Sequence, residues 1–487
     1  MKDQSLANRL DAINEYEQEK IPAKQQKGWK SFIGMYAGEH TAGTEFVIGP
    51  LFVVHGVAAG DLFLGLLLGN ILAVLSWTFI CAPIATSVRL TLYWKLRKIL
   101  GPYLLLIYNV INALMFCFLA GSMIAVSATA VGIPFDIQMP ALNDWLPSTF
   151  GWVVAVFAVG SVITVIAILG YEQVSRFANV TAPWMILVFI AAGIAVLPQL
   201  GVTGFDNFWQ VANDTIWTGV PLAGQSKFSM WHVMFFAWFA NMAMHIGMAD
   251  MSILRYAKKW QMGLSSATGM FLGHYVAWVA AGILYSVVLV QSIPAGVTLI
   301  DYISGATADQ LPSVAPGPLA FNAVGLAGAM CVIIAGWTTA NPTIYRAGLA
   351  FQAIAPTSKR WKVTLITGLI TTVAACFPAL VMKLLDFVAL YGLILMPMGA
   401  IIFIDFWLFP KLGIDTDYAE KRNKLFNLSA FLTWVLTLLA CFGLNRLYGL
   451  ELFFLGLPGW FIASILYIIL SKVLYSKFKK SKTAVTQ

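Results

Sequence analysis

The chain has 487 residues, of which 59% are hydrophobic, 14% aromatic and only 11% charged, with mean hydropathy +0.79 and net charge +8. A soluble domain carries about 25% charged residues, so this composition excludes one and implies a single all-α integral membrane domain. The positive surplus lies in short loops and tails, which points to topology and contact with anionic membrane lipids, and away from nucleic acid.

In chain order, Met1–Lys30 is polar and lacks the apolar core of a secretory signal, so it reads as a cytoplasmic tail (1–30). Apolar stretches follow at about 32–57, 61–88, 101–131, 150–170, 179–199, 229–250, 264–292, 317–342, 362–381, 385–409, 427–447 and 451–475. Each is long enough, at 1.5 Å per residue, to predict a crossing, giving about twelve transmembrane helices in a domain at 31–475. A basic tail closes the chain at 476–487. Basic residues recur in alternate loops: Arg89 to Lys98, Arg176, Arg255 to Lys259, Lys359 to Lys362 and Lys411 to Lys424. The opposite loops carry Asp136, Asp144, Asp206, Asp214, Asp301 and Asp309. The positive-inside rule then places both termini in the cytoplasm of a multi-pass plasma-membrane protein, the inner membrane if bacterial. Lys383 departs from the pattern and is expected to snorkel to an interface. Cys81, Cys117, Cys331, Cys376 and Cys441 stand singly in apolar segments, without metal or redox spacing, and read as packing residues.

The first stretch contains Gly38, Glu39, His40, Gly43, Glu45 and Gly49. A carboxylate at membrane depth costs about 2.5–3.5 kcal/mol, so Glu39 and Glu45 are expected to face a cavity, an ion or a partner. The glycines allow the helix to open, which is tolerable where backbone lines a cavity. The sixth stretch is interrupted in the same way by Asn241, His245, Gly247 and Asp250. Paired interruptions in two halves mark the site of a transporter built from inverted repeats, so breaks are expected at Gly38–Glu45 and about Ala240–Gly247. Trp238, Asn241 and His245 share a helical stripe that Phe235 and Phe239 crowd, a wall suited to a flat heterocycle. Asn109, Asn112 and Phe116 share a face of the third stretch.

In the eighth stretch Ala335, Thr338 and Thr339 fall on one face, ahead of Asn341 and Pro342. Two hydroxyls and a carbonyl form half of a hard-oxygen site for a small cation such as sodium; the same hydroxyls could instead bond back to their own helix. No nucleophile–base pair, metal-ligand cluster or phosphate loop is present, so no enzyme or bound cofactor is expected.

Several segments together resemble the nucleobase:cation symporter family. They are Asp250, Arg255, Tyr256, Ala257 and Lys258 after the sixth stretch; Tyr391, Gly392, Pro397, Gly399, Asp405, Phe406 and Trp407 in the tenth; Gly69 and Asn70 in the second; and the Thr338–Thr339 pair. The resemblance implies the leucine-transporter fold, an inverted repeat of about five plus five helices with helices one and six broken, and two additional C-terminal helices. It implies symport of a small nitrogen-rich heterocycle, such as a nucleobase, by alternating access. Sodium is the favoured coupling ion, held by Ala335, Thr338 and Thr339 with helix-one oxygens from Gly38–Gly43, where Gly38 and Thr41 are the candidates. Glu39, Glu45, Phe116, Phe235, Trp238, Phe239, Asn241 and Asn341 are the expected substrate contacts. Ala340 stands where cytosine-permease-like members often have Asn, and the two glutamates are foreign to members that carry neutral nucleobases. An amine-bearing substrate driven by protons through Glu39 or Glu45 is therefore the alternative, and a passive uniporter or channel is another.

Overall fold

A computed structural model describes residues 6–137, 140, 144–306, 311–312, 314–379 and 383–484. Asp309 and the last three residues of the expected C-terminal tail lie outside them. Each of the twelve apolar stretches contains helix, and the β pairing among the described residues is limited to two isolated bridges. Eight helical spans among the described residues are long and apolar enough to cross a membrane, and the apolar helices Glu45–Val54 and Met230–Phe239 are shorter.

The first stretch is two helices, α1 (Trp29–His40) and α2 (Glu45–Val54), separated at Thr41–Thr44. Then come α3 (Ala59–Ser76), α4 (Leu92–Leu100), α5 (Pro102–Val131), α6 (Phe150–Ile168) and α7 (Tyr171–Val196). The sixth stretch is again divided. α8 (Met230–Phe239) stops at Ala240–Asn241, one turn follows as α9 (Met242–His245), and non-helical backbone at Ile246–Asp250 precedes a last turn at Met251–Leu254. Both breaks fall where the sequence predicts them. The seventh stretch enters as a π-helix, Thr268–Tyr275, and continues as α10 (Val276–Gln291).

The eighth stretch runs longer than expected. A short α11 (Pro316–Val324) turns at Gly325, and α12 (Leu326–Ile354) continues a further twelve residues beyond Pro342. α13 (Arg360–Ala375), α14 (Leu384–Phe403), α15 (Leu428–Tyr448) and α16 (Gly456–Ala484) complete the bundle, the last running into the segment read as a tail.

The core is two adjoining apolar clusters, with small residues where helices cross most closely. A methyl group added at Gly49 of α2 would meet the Trp278 carbonyl and Ala281 of α10, and one at Gly336 of α12 would meet Ser127 and the Met123 carbonyl of α5. All five cysteines are buried and free, as packing residues would be. The loops rich in basic residues meet at one end of the bundle. Arg89 donates to the Arg255 carbonyl at 2.9 Å and Lys98 pairs with Glu420 at 2.8 Å. The N-terminal segment lies across this end: Arg255 donates to the Tyr16 and Glu15 carbonyls, each at 2.6 Å, and Tyr345 donates to the Glu15 carboxylate at 2.8 Å. Lys383 is exposed, 5.4 Å above the Trp145 ring.

Candidate functional site

Helix ends at the two breaks leave backbone carbonyls and N–H groups without intrahelical partners. Between them lies a cavity of ≈ 60 Å³ of room for the centres of water-sized spheres. Its polar wall is formed by Glu39, Thr44, Glu45, Asn241, His274 and Thr339. Leu119 and Met123 of α5, Trp278 of α10 and Tyr391 of α14 supply the apolar wall. Thus α1, α2, the α8–α9 break, the π-helix before α10 and α12 all converge on one point.

The two glutamates have different surroundings. Glu39 accepts a two-pronged ion pair from the buried Arg346 of α12, at 2.5 and 3.1 Å. Arg346 also pairs with Asp250, at 2.6 Å. Asp250 in turn accepts from the Tyr36 hydroxyl at 2.9 Å and the Trp77 indole at 2.6 Å. The triad therefore ties α1, α12 and the segment after α9 together. Glu45, at the first turn of α2, has no Lys or Arg beside it among the described residues. The Trp278 indole N–H donates to one of its oxygens, and His274 Nε2 lies 3.6 Å from the other. The His274 ring stacks on Trp278 at 4.4 Å and meets the edge of His40 at 4.9 Å.

A group of oxygens borders the cavity where α1 ends. The Thr339 hydroxyl donates to the Glu39 carbonyl at 2.7 Å and lies 3.1 Å from the Ala335 carbonyl, to which the Thr338 hydroxyl donates at 3.0 Å, so both hydroxyls also make the back-bonds to their own helix that the sequence allows. The helix-one carbonyl reaching Thr339 is that of Glu39, inside the Gly38–Gly43 window. The Thr41 hydroxyl turns back to the Ala37 carbonyl at 2.7 Å, and Gly38 lies against Ala178 of α7.

Of the other expected contacts, Asn241 lines the cavity, its amide nitrogen 3.4 Å from His274. Phe116, Phe235, Trp238, Phe239 and Asn341 are not among the cavity-lining residues described. The Trp238 indole donates to Ser76 of α3 at 2.9 Å, while its ring stacks on Phe239 at 4.5 Å. Phe116 packs edge-on against Tyr391 at 5.2 Å. Asn341 is fully buried, and its amide has no hydrogen-bond partner among the described residues. Arg346, His274 and Trp278 were not singled out in the sequence. A guanidinium in a mostly apolar helix, and a His–Trp pair at i, i+4, were the available signals.

The fold is shared with solved transporter structures. Mhp1, a nucleobase-cation-symport-1 family transporter, closed with bromovinylhydantoin bound, superposes with a TM-score of 0.68 at 13% identity over 96% of each chain. The chain has the leucine-transporter fold. A Na+-coupled sialic acid symporter in a substrate-bound outward-open state gives 0.61 at 16% identity, over 96% of this chain and 93% of that one. A manganese transporter of Eremococcus coleocola gives 0.53 at 12% identity over 97% of each. These similar structures are membrane transporters, not enzymes. No protein-family model matches the sequence, and no curated protein sequence matches it either.

Proposed function

We propose that the chain is a secondary active transporter that couples the inward movement of sodium to uptake of a compact nitrogen-rich heterocycle across the plasma membrane, with both termini in the cytoplasm. The observation that carries this reading is the convergence of the Glu39 and Ala335 carbonyls with the Thr338 and Thr339 hydroxyls at the end of α1. These are hard neutral oxygens from two separate elements, the donor set that a small monovalent cation takes, and a cation there would join α1 to α12. Similar folds in the Na+-coupled sialic acid symporter and in Mhp1 support it.

The cavity bounds the solute. A water takes about 10–15 Å³ on this measure of volume, so the ≈ 60 Å³ available holds roughly four to six atoms of that size. That fits a single small ring. Trp278 and Tyr391 give flat walls, while Asn241 and Glu45 present groups that hydrogen-bond ring N–H and C=O positions.

The test is thermal stability of the purified protein in sodium against potassium or choline, followed by uptake into proteoliposomes under a sodium gradient. Sodium stabilises the wild type by binding the folded state. Thr339→Ala weakens that effect about tenfold in apparent affinity, as loss of about 1.4 kcal/mol does. A wild type indifferent to sodium in both assays removes sodium coupling, and failure to concentrate any solute against its own gradient under the sodium gradient leaves a passive uniporter or channel.

A further inference from the structure

The buried charges around the cavity do not cancel. Glu39, Asp250 and Arg346 leave one negative charge over, and Glu45 adds a second. A sodium ion on the Thr338–Thr339 oxygens would offset the first, because the Glu39 carbonyl is part of that oxygen group. The second has no cation partner among the described residues, although Glu45 and His274 are both almost completely buried. An unpaired buried carboxylate is costly, and a bound proton relieves that cost.

Resting on the transport reading above, we propose that Glu45 and His274 form a proton-binding site, and that this proton travels with the solute as a second coupling cation. Geometry favours a proton over an ammonium group of the solute. One Glu45 oxygen accepts from the Trp278 indole, and the other faces His274 Nε2 across 3.6 Å. An ammonium nitrogen set in line between two acceptors needs about 5.6 Å, twice a hydrogen-bond length, whereas a shared proton needs only a small side-chain rotation to about 2.8 Å. Among the described residues His274 Nδ1 has no hydrogen-bond partner, while Nε2 lies 3.4 Å from the Asn241 amide nitrogen, so Nδ1 can carry the ring hydrogen and leave Nε2 to accept. The ionisable neighbours are His40, edge-on to His274, with Glu39 and Tyr391 on the cavity wall and Arg346 and Asp250 in the layer beyond. The His274 ring stacks on Trp278, and His274 lies within the π-helix Thr268–Tyr275.

Two measurements on the full-length protein test the proposal. Infrared difference spectra between acid and alkaline buffer, with no solute present, show a protonated-carboxyl band in the wild type. Glu45→Gln abolishes it and His274→Gln shifts it; should Glu45→Gln not fold, Glu45→Asp keeps an acid and moves the band instead. In proteoliposomes loaded with a pH-sensitive dye, uptake from a panel of nucleobases, hydantoins and heterocyclic amines acidifies the lumen. A band insensitive to all three variants overturns the proposal. So does a constant lumenal pH while the wild type concentrates a solute, a result that leaves the sodium reading standing. If no solute is concentrated, the transport reading falls, and the infrared result alone decides whether Glu45 and His274 bind a proton.

Discussion

Arg346→Met tests how the cavity floor is held. Arg346 is fully buried and binds Glu39 through two hydrogen bonds and Asp250 through one. Methionine keeps the bulk and removes the charge. Asp250 would retain the Tyr36 hydroxyl and the Trp77 indole, but among the described residues no other side chain bonds the Glu39 carboxylate. The cost is therefore at least that of orphaning the Glu39 carboxylate, about 3–5 kcal/mol. Unfolding entropy of about 2.1 cal/mol/K per residue converts this into a fall in melting temperature of about 3–5 °C for a chain of this length.

Glu39→Gln removes the charge but leaves an amide, and Arg346 keeps Asp250, so its cost is about 1–3 kcal/mol. In the double variant Glu39→Gln with Arg346→Met the orphaned Glu39 charge is gone. It should recover half or more of the Arg346→Met loss, a coupling that contacting residues show and distant ones do not. The assay is thermal denaturation in detergent, read by loss of the monodisperse chromatographic peak. Melting of Arg346→Met within about 1 °C of wild type, or a double variant no more stable than the single one, would refute the view that Arg346 neutralises Glu39.

Two further perturbations probe packing and the N-terminal segment. Gly49→Ala would place a methyl group against the Trp278 backbone, which cannot yield as a side-chain end could; a loss of about 1–3 kcal/mol is expected, visible as earlier melting. Glu17 lies in the N-terminal segment, 3.5 Å from Arg360, and burial raises its carboxyl above the ordinary range despite that charge. A raised folded-state value means that the folded protein prefers the protonated acid, so stability is lost as pH rises through that value. Glu17→Gln should thus melt later than wild type at neutral pH, with the difference vanishing below the ordinary carboxylate range; a lower melting temperature at neutral pH would show that the Arg360 pair dominates.

The breaks were legible in the sequence because glycine and polar residues inside an apolar stretch have few other uses at membrane depth. The Thr338–Thr339 face was legible because α12 is continuous there, so i, i+3 and i+4 spacing translates into a common side. The Trp238–Asn241 stripe failed as a cavity wall for the converse reason. α8 ends at Phe239, so spacing carried across the break no longer fixes direction, and Trp238 turns to Ser76 while Asn241 reaches the cavity. Arg346 was missed because the stretch was closed at Pro342. The helix passes through that proline, and the guanidinium four residues later is satisfied by two acids that are distant in sequence. Pairings of that kind depend on tertiary contact and leave no periodic trace.

The opposite treatment of the two glutamates follows from where the helix opens. Glu39 sits in the last turn of α1, where the aligned peptide dipoles present negative charge, so a carboxylate there is disfavoured twice, by burial and by the helix end. It carries the guanidinium of Arg346 as compensation. Glu45 sits in the first turn of α2, where the dipoles present positive charge and favour an anion. Added to the Trp278 hydrogen bond, this lets the carboxylate remain without a permanent cation. Breaking one helix between two acids therefore yields a locked acid on one side and an available acid on the other, both lining the same cavity. The break is thus what frees Glu45 for a transient positive partner, and it is also what exposes the Glu39 carbonyl to Thr339.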